Sequence, residues 1–139
     1  MNGTRAELSV LFVDDEPILR GVAKVLLERR FSVVYTAEHG KEGLELFKLH
    51  GPNIVITDIN MPEMDGIEMT REIRKLCSRT PIIIISANHY DDLAENLNSM
   101  DPIRFIQKPV NMSQFFQMID DLKKQESAWV NRYLYGTGI

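Results

Sequence analysis

Five short, nearly unbroken apolar runs, separated by longer mixed segments, constrain this chain more than any other feature of its sequence. The runs are Val10-Leu11-Phe12-Val13, Val33-Val34-Tyr35, Ile54-Val55-Ile56, Ile82-Ile83-Ile84-Ile85 and Ile103-Arg104-Phe105-Ile106. They are β-branched and continuous rather than alternating, which is the pattern of strands covered on both faces. The segments between them carry apolar residues at helical spacing. Leu19, Val22, Ala23, Leu26 and Leu27 share one face behind Pro17, which suits a first helical turn. Leu44 and Phe47 form a shorter stripe, and Gly66, Met69, Ile73 and Leu76 line a third helix starting near Asp65. Leu93, Ala94 and Leu97 mark a fourth helix, and Phe115, Phe116, Ile119 and Leu122 a fifth, with Ser113 as its expected N-cap.

A β-α unit repeated five times with right-handed crossovers makes an α/β protein, (βα)5, with helices on both faces of a doubly wound, five-stranded parallel sheet of order 2-1-3-4-5. Ligands of such sheets sit beyond the carboxyl ends of the strands, where strand order reverses. The length of 139 residues suits one domain over residues 1–124, with residues 125–139 as a helical extension, linker or tail. Residues 125–134 are expected to prolong the fifth helix and to offer Trp129 and Tyr133 as a linker or pairing surface, and residues 135–139 to fray.

An apolar fraction of 44% is too high for a disordered chain. The net charge of −4 argues against a nucleic-acid surface. The single cysteine, Cys77, excludes an internal disulfide and is expected to be a semi-buried thiol in a cytoplasmic protein. No apolar run approaches the ~20 residues that span a bilayer.

Polar residues fall at the ends of four strands. Asp14 and Asp15 follow the first, Asp58 the third, Ser86 ends the fourth, and Lys108 follows the fifth. Each has a plain structural use: Asp15 or Glu16 as a helix cap, Asp58 in a turn, Ser86 as a satisfied hydroxyl, Lys108 as a solvated charge. Their joint placement on one edge of one sheet points instead to a metal and phosphoryl site. Gathered carboxylates repel one another, and a hard cation such as Mg²⁺ relieves the conflict while needing only one or two of them as direct ligands. A cation and a lysine would also neutralise charge on a transferring phosphoryl group, and a carboxylate, Asp58, can attack phosphorus.

The strings Val13-Asp14-Asp15-Glu16-Pro17, Asp58-Ile59-Asn60-Met61-Pro62-Glu63-Met64-Asp65-Gly66, Ile85-Ser86-Ala87 and Lys108-Pro109 closely resemble the receiver domain of two-component response regulators, from about Leu8 to Lys124. The resemblance implies a flavodoxin-like receiver fold and a Mg²⁺-dependent phosphoacceptor, with Mn²⁺ as a substitute. It implies Asp58 as the phosphorylated residue, Asp15 and Asp14 as direct and water-mediated metal ligands, and the Asn60 carbonyl as a further ligand. Ser86 and Lys108 would contact phosphoryl oxygens, with small Ala87 at the entrance and a cis bond into Pro109. Phe105, with Ser86, would act as the switch, and Asn60 and Asn88 would tune phosphoryl lifetime. The implied donor is a sensor histidine kinase or phosphotransfer protein, the effector is unspecified, and a homodimer would form through the strand-four to helix-five face or the C-terminal helix. Such a domain is a self-catalysed switch in a phosphorelay rather than a turnover enzyme.

Other chemistries lack their residues. There is no Gly-x-Gly-x-x-Gly after the first strand and no Gly-Lys-Ser/Thr loop. His39, His50 and His89 lack metal-ligand spacing and read as surface or loop residues, and Lys123-Lys124 as a solvated helix end. A phosphatase with Asp58 as transient nucleophile would want an Asp-x-Asp motif, whereas Ile59-Asn60 follow here. A binding module that works without phosphorylation has no need of the complete acid set.

Overall fold

The computed structural model describes residues 7–134. Its elements are β1 (Ser9–Val13), α1 (Pro17–Leu27), β2 (Val33–Ala37), α2 (Gly40–His50), β3 (Ile54–Asp58), α3 (Gly66–Leu76), β4 (Ile82–Ser86), α4 (Tyr90–Leu97), β5 (Ile103–Gln107) and α5 (Met112–Leu134), with a short 3₁₀ turn, Asn98–Met100, after α4. All strand pairs are parallel and the order is β2-β1-β3-β4-β5, as the sequence implies.

The continuous apolar runs are explained by two cores, one on each face. Alternate strand residues point to opposite sides. Val10, Phe12, Ile54, Ile56, Ile83 and Ile85 pack with Leu27 of α1 and with Phe115, Ile119 and Leu122 of α5. Leu11, Val13, Val55, Ile82 and Ile84 pack with Leu44, Phe47, Met69, Ile73, Leu93 and Leu97 of α2, α3 and α4.

The helix faces differ from the sequence reading in particulars. Leu19 (47% exposed) and Val22 (52%) do not join Leu27 in the core, because α1 turns only its Ala23–Leu27 edge toward the sheet. Leu76 is likewise 54% exposed, being the last residue of α3 and beyond the sheet. Ser113 is not the cap of α5. That helix starts at Met112, and the cap lies two residues before Ser113, at Asn111, whose Oδ1 accepts from the Gln114 N–H at 2.9 Å. His39 is not a bystander: it caps α2, its Nδ1 accepting from the Glu42 N–H at 3.1 Å. His50 stacks on Tyr35, and Lys123 lies over the Phe31 ring and donates to the Arg30 carbonyl.

Beyond Lys124, α5 continues to Leu134, nearly three turns. Glu126 and Val130 are buried against the domain, and Trp129 packs beside them rather than standing free. Residues 135–139, expected to fray, lie outside the described residues. Among the described residues no helix is long and apolar enough to cross a membrane.

Candidate functional site

Four strand ends, those of β1, β3, β4 and β5, and the loops that follow them build the site. Val13 and Thr57 are register neighbours on β1 and β3, so Asp14 and Asp58 emerge side by side where the strand order reverses. Ser86 and Gln107 are neighbours on β4 and β5, which brings Lys108 to the same rim, its N–H donating to the Ser86 carbonyl at 2.8 Å. The Lys108–Pro109 bond is cis, as the resemblance implies.

Lys108 Nζ donates to Asp58 Oδ2 at 2.8 Å. The other Asp58 oxygen accepts from the Ile59 N–H at 2.6 Å. The hydrogen bond to Asp58 is the largest influence on Lys108 and raises its ammonium above the usual lysine range, with Asp14 and Asp15 adding to the effect. Asp14 is buried, with Oδ1 accepting from the Glu16 N–H at 2.8 Å. Burial is the main cause that lifts its carboxyl above the ordinary value. The Glu16 N–H and Lys108 oppose that rise, and the charges of Asp58 and Asp15 reinforce it. Asp15 is exposed at the rim.

Two glycines hold the loop that follows Asp58. The Gly66 N–H donates to the Ile59 carbonyl at 2.8 Å, and a β-carbon at Gly66 would overlap the Asp58 carbonyl. The Gly40 N–H donates to the Met64 carbonyl at 2.9 Å, and a β-carbon there would overlap that carbonyl. Asp65 then caps α3, accepting from the Glu68 N–H at 2.8 Å. Asn60 sits exposed at the start of this loop.

Ser86 is fully buried, and its hydroxyl oxygen accepts from the Asn88 N–H at 3.0 Å. Ala87 and Asn88 are exposed beside it. Phe105 is half-buried, with Tyr90 edge-on at 5.5 Å; Tyr90 opens α4, which has no side-chain cap. The structure therefore gathers Asp14, Asp58 and Lys108 and sets Asp15, Asn60, Ser86 and Asn88 around them, with Phe105 on β5, the strand that leads into Lys108. Sequence reasoning missed Arg20, which reaches back from α1 to the Asp14 carbonyl, and Gly40. Neither carries a sequence signal, since Arg20 acts on a main-chain carbonyl and Gly40 through its lack of a β-carbon.

Among the described residues no group of three or more His, Cys, Asp or Glu side chains forms a metal cage. The donor set still suits Mg²⁺. Oxygen donors dominate, two carboxylates meet under mutual repulsion, and this cation needs few protein ligands because it keeps several waters.

The sequence profile of the response regulator receiver domain matches residues 10–120, and the chain belongs to that family. It is similar to chemotaxis protein CheY of Bacillus subtilis, at 34% identity over 112 residues covering 80% of this chain and 93% of CheY. It is also similar to the transcriptional regulatory protein GlrR of Escherichia coli K12, at 35% identity over 119 residues. That match covers 85% of this chain but only 27% of GlrR. Among solved structures, the CheX-CheY-BeF3-Mg complex of Borrelia burgdorferi matches with a TM-score of 0.73 and 28% identity, over 83% of this chain and 88% of that one. Receiver domains are signalling switches of two-component systems.

Proposed function

We propose that this receiver takes a phosphoryl group onto Asp58 from a phosphohistidine of a partner sensor kinase or phosphotransfer protein, in a Mg²⁺-dependent reaction, and passes the change to a downstream effector. The observation that carries the reading is the Lys108 ammonium 2.8 Å from the Asp58 carboxylate, beside buried Asp14 at the point where the strand order reverses. The Borrelia neighbour, crystallised with BeF3 and Mg²⁺, supports it.

In the transfer an Asp58 carboxylate oxygen forms the new O–P bond as the P–N bond breaks, and the departing imidazole nitrogen keeps the electron pair. Asp15, Asp58 and the Asn60 carbonyl would hold Mg²⁺ directly, and Asp14 through water. When bound, the ion offsets charge on the phosphoryl oxygens. Lys108 follows the charge from Asp58 to the new oxygens, because the phosphoryl group carries about −1.5 to −2 at neutral pH in place of the single charge of the carboxylate. Ser86 uses only its oxygen in the bond from Asn88, so its proton remains for a phosphoryl oxygen. Turning it that way releases the Asn88 N–H just before the uncapped start of α4, where Tyr90 rests on Phe105. The change falls on a helix start without a side-chain cap, a place where a two-state element can be biased. Asn60 and Asn88, exposed on either side, govern the approach of the water that ends the signal.

The test is phosphorylation by acetyl phosphate, followed by intact-protein mass spectrometry. One phosphoryl group should appear with Mg²⁺, vanish with chelator and be absent in Asp58→Asn. Uptake that persists in Asp58→Asn or ignores chelation refutes the proposal.

A further inference from the structure

We infer that Arg20 is a positioning residue for the acid pair, an inference that rests on the proposed Mg²⁺-dependent reading of the same site. Its guanidinium Nη1 donates to the main-chain carbonyl of Asp14 at 2.8 Å. That carbonyl belongs to the peptide joining Asp14 to Asp15, so Arg20 fixes the plane from which the Asp15 side chain departs. The Asp14 residue is gripped at two further points: its N–H donates to the Ala37 carbonyl at 3.1 Å, and its Oδ1 accepts from the Glu16 N–H. Asp15 itself is exposed at the rim. The peptide behind it is thus what sets its aim.

Arg20 is in turn placed rather than free. It lies in the first turns of α1, four residues after Glu16, whose carbonyl accepts from the Arg20 N–H at 3.0 Å. Its other terminal nitrogen, Nη2, lies 3.9 Å from Glu38 Oε2, on the loop between β2 and α2, and its side chain is only 21% exposed. One planar fork therefore bridges the β1 rim and the neighbouring loop, a geometry that the single ammonium of lysine cannot reproduce. At 3.9 Å, with Glu38 63% exposed, that ion pair contributes little stability. Its effect is on direction.

Groups that orient a metal ligand from behind typically change metal affinity by about 10-fold to 100-fold when removed. Arg20 touches a carbonyl rather than a carboxylate, which places the expected effect of Arg20→Ala near the lower end, about a 10-fold rise in the Mg²⁺ Kd. Arg20→Lys should recover part of this through a single donor. Glu38→Ala should weaken Mg²⁺ binding by about twofold to threefold, and only while Arg20 is present, because Glu38 reaches the acid pair through Arg20 alone.

The experiment is calorimetric titration of the full chain with Mg²⁺ for wild type, Arg20→Ala, Arg20→Lys, Glu38→Ala and the double variant Arg20→Ala/Glu38→Ala. Acetyl phosphate uptake and urea unfolding are followed in parallel. The expected result is a graded loss of Mg²⁺ affinity at similar urea midpoints, with the Glu38 effect absent in the Arg20→Ala background. A wild type that binds no Mg²⁺ and takes up no phosphoryl group defeats the functional reading. A competent wild type whose Mg²⁺ Kd is unchanged by Arg20→Ala, or a Glu38 effect that persists without Arg20, defeats the role of Arg20 alone.

Discussion

Replacing Glu126 with methionine should leave this protein as stable as before or more so, whereas replacing its partner Arg79 with alanine should destabilise it. Glu126 is 4% exposed. One of its oxygens accepts from Arg79 Nη2 at 2.6 Å, and the other, Oε1, is buried without a hydrogen-bond partner. Burial is the largest influence on its carboxyl and raises it above the ordinary value even though Arg79 pulls the other way. The pair therefore offsets only part of what burying the charge costs. An unsatisfied buried acceptor costs about 1–3 kcal/mol, and exchanging a buried ion pair for well-packed apolar groups is often neutral or stabilising by about 1–4 kcal/mol. Glu126→Met keeps the volume and removes the orphan oxygen. Arg79 is 36% exposed and lies 3.7 Å over the Trp129 ring, so its charge keeps both water and an aromatic face. The expected change is from zero to about 2 kcal/mol of added stability.

Arg79→Ala does the opposite. It strands a buried carboxylate, which in a fully enclosed pair costs about 3–5 kcal/mol, and it removes a cation–π contact worth roughly 0.5–1 kcal/mol at an exposed site. The partial exposure of Arg79 screens the pair, so roughly 2–3 kcal/mol is expected. Urea unfolding followed by far-ultraviolet circular dichroism measures both. Trp129 is the only tryptophan, and its emission reports on the contact itself. The pH dependence has a fixed sign. A carboxyl raised in the folded state contributes stability below its unfolded value, and that contribution is lost as pH rises through the folded value. The advantage of Glu126→Met should therefore be smallest in acid and grow toward neutrality. Loss of more than about 1 kcal/mol in Glu126→Met at pH 7 would show that the ion pair is net stabilising and refute the reasoning.

Gly66→Ala should cost about 1–3 kcal/mol in urea unfolding, because its methyl group overlaps the Asp58 carbonyl and forces the loop to shift; an unchanged midpoint would show that the loop yields freely. Lys108→Ala removes a competing cation from Asp58, which is worth on the order of 1 kcal/mol at a partly exposed rim. Calorimetry should then show Mg²⁺ binding tightened by about fivefold, while acetyl phosphate uptake slows; weaker Mg²⁺ binding would contradict this.

The sheet was legible because burial on both faces leaves a sequence mark. A strand such as Ile82–Ser86 can carry four consecutive isoleucines only if helices cover it on both faces, and alternation between the two cores is what Ile83 and Ile84 do. The helix faces were less legible, because periodicity gives the direction of a stripe but not how much of it meets the sheet. Leu19 and Val22 continue the spacing of Leu27 yet remain exposed on α1. Asn111 and Ser113 are both good cap residues, and local sequence does not say at which of them the chain turns into α5.

The site divides along the same line. Asp14, Asp58, Ser86 and Lys108 were readable because strand ends in a doubly wound sheet converge by topology, so position in the sequence maps onto position at the rim. The groups that aim those side chains follow no such rule. Arg20 acts through a main-chain carbonyl, and Gly40 through the absence of a β-carbon next to Met64, neither of which requires a particular residue type elsewhere. The same limit applies to residues 125–134. The sequence offers Trp129 and Tyr133 as a linker or pairing surface; it does not say that Arg79, fifty residues earlier in the loop before β4, occupies one face of Trp129 while Tyr133, at 4.9 Å, rests against it. Chemistry that resides in side chains at strand ends can be read from order alone. Chemistry that resides in backbone contacts and in partners distant along the chain needs coordinates, and in this protein that second kind is what directs the acid pair and holds the end of α5 against the domain.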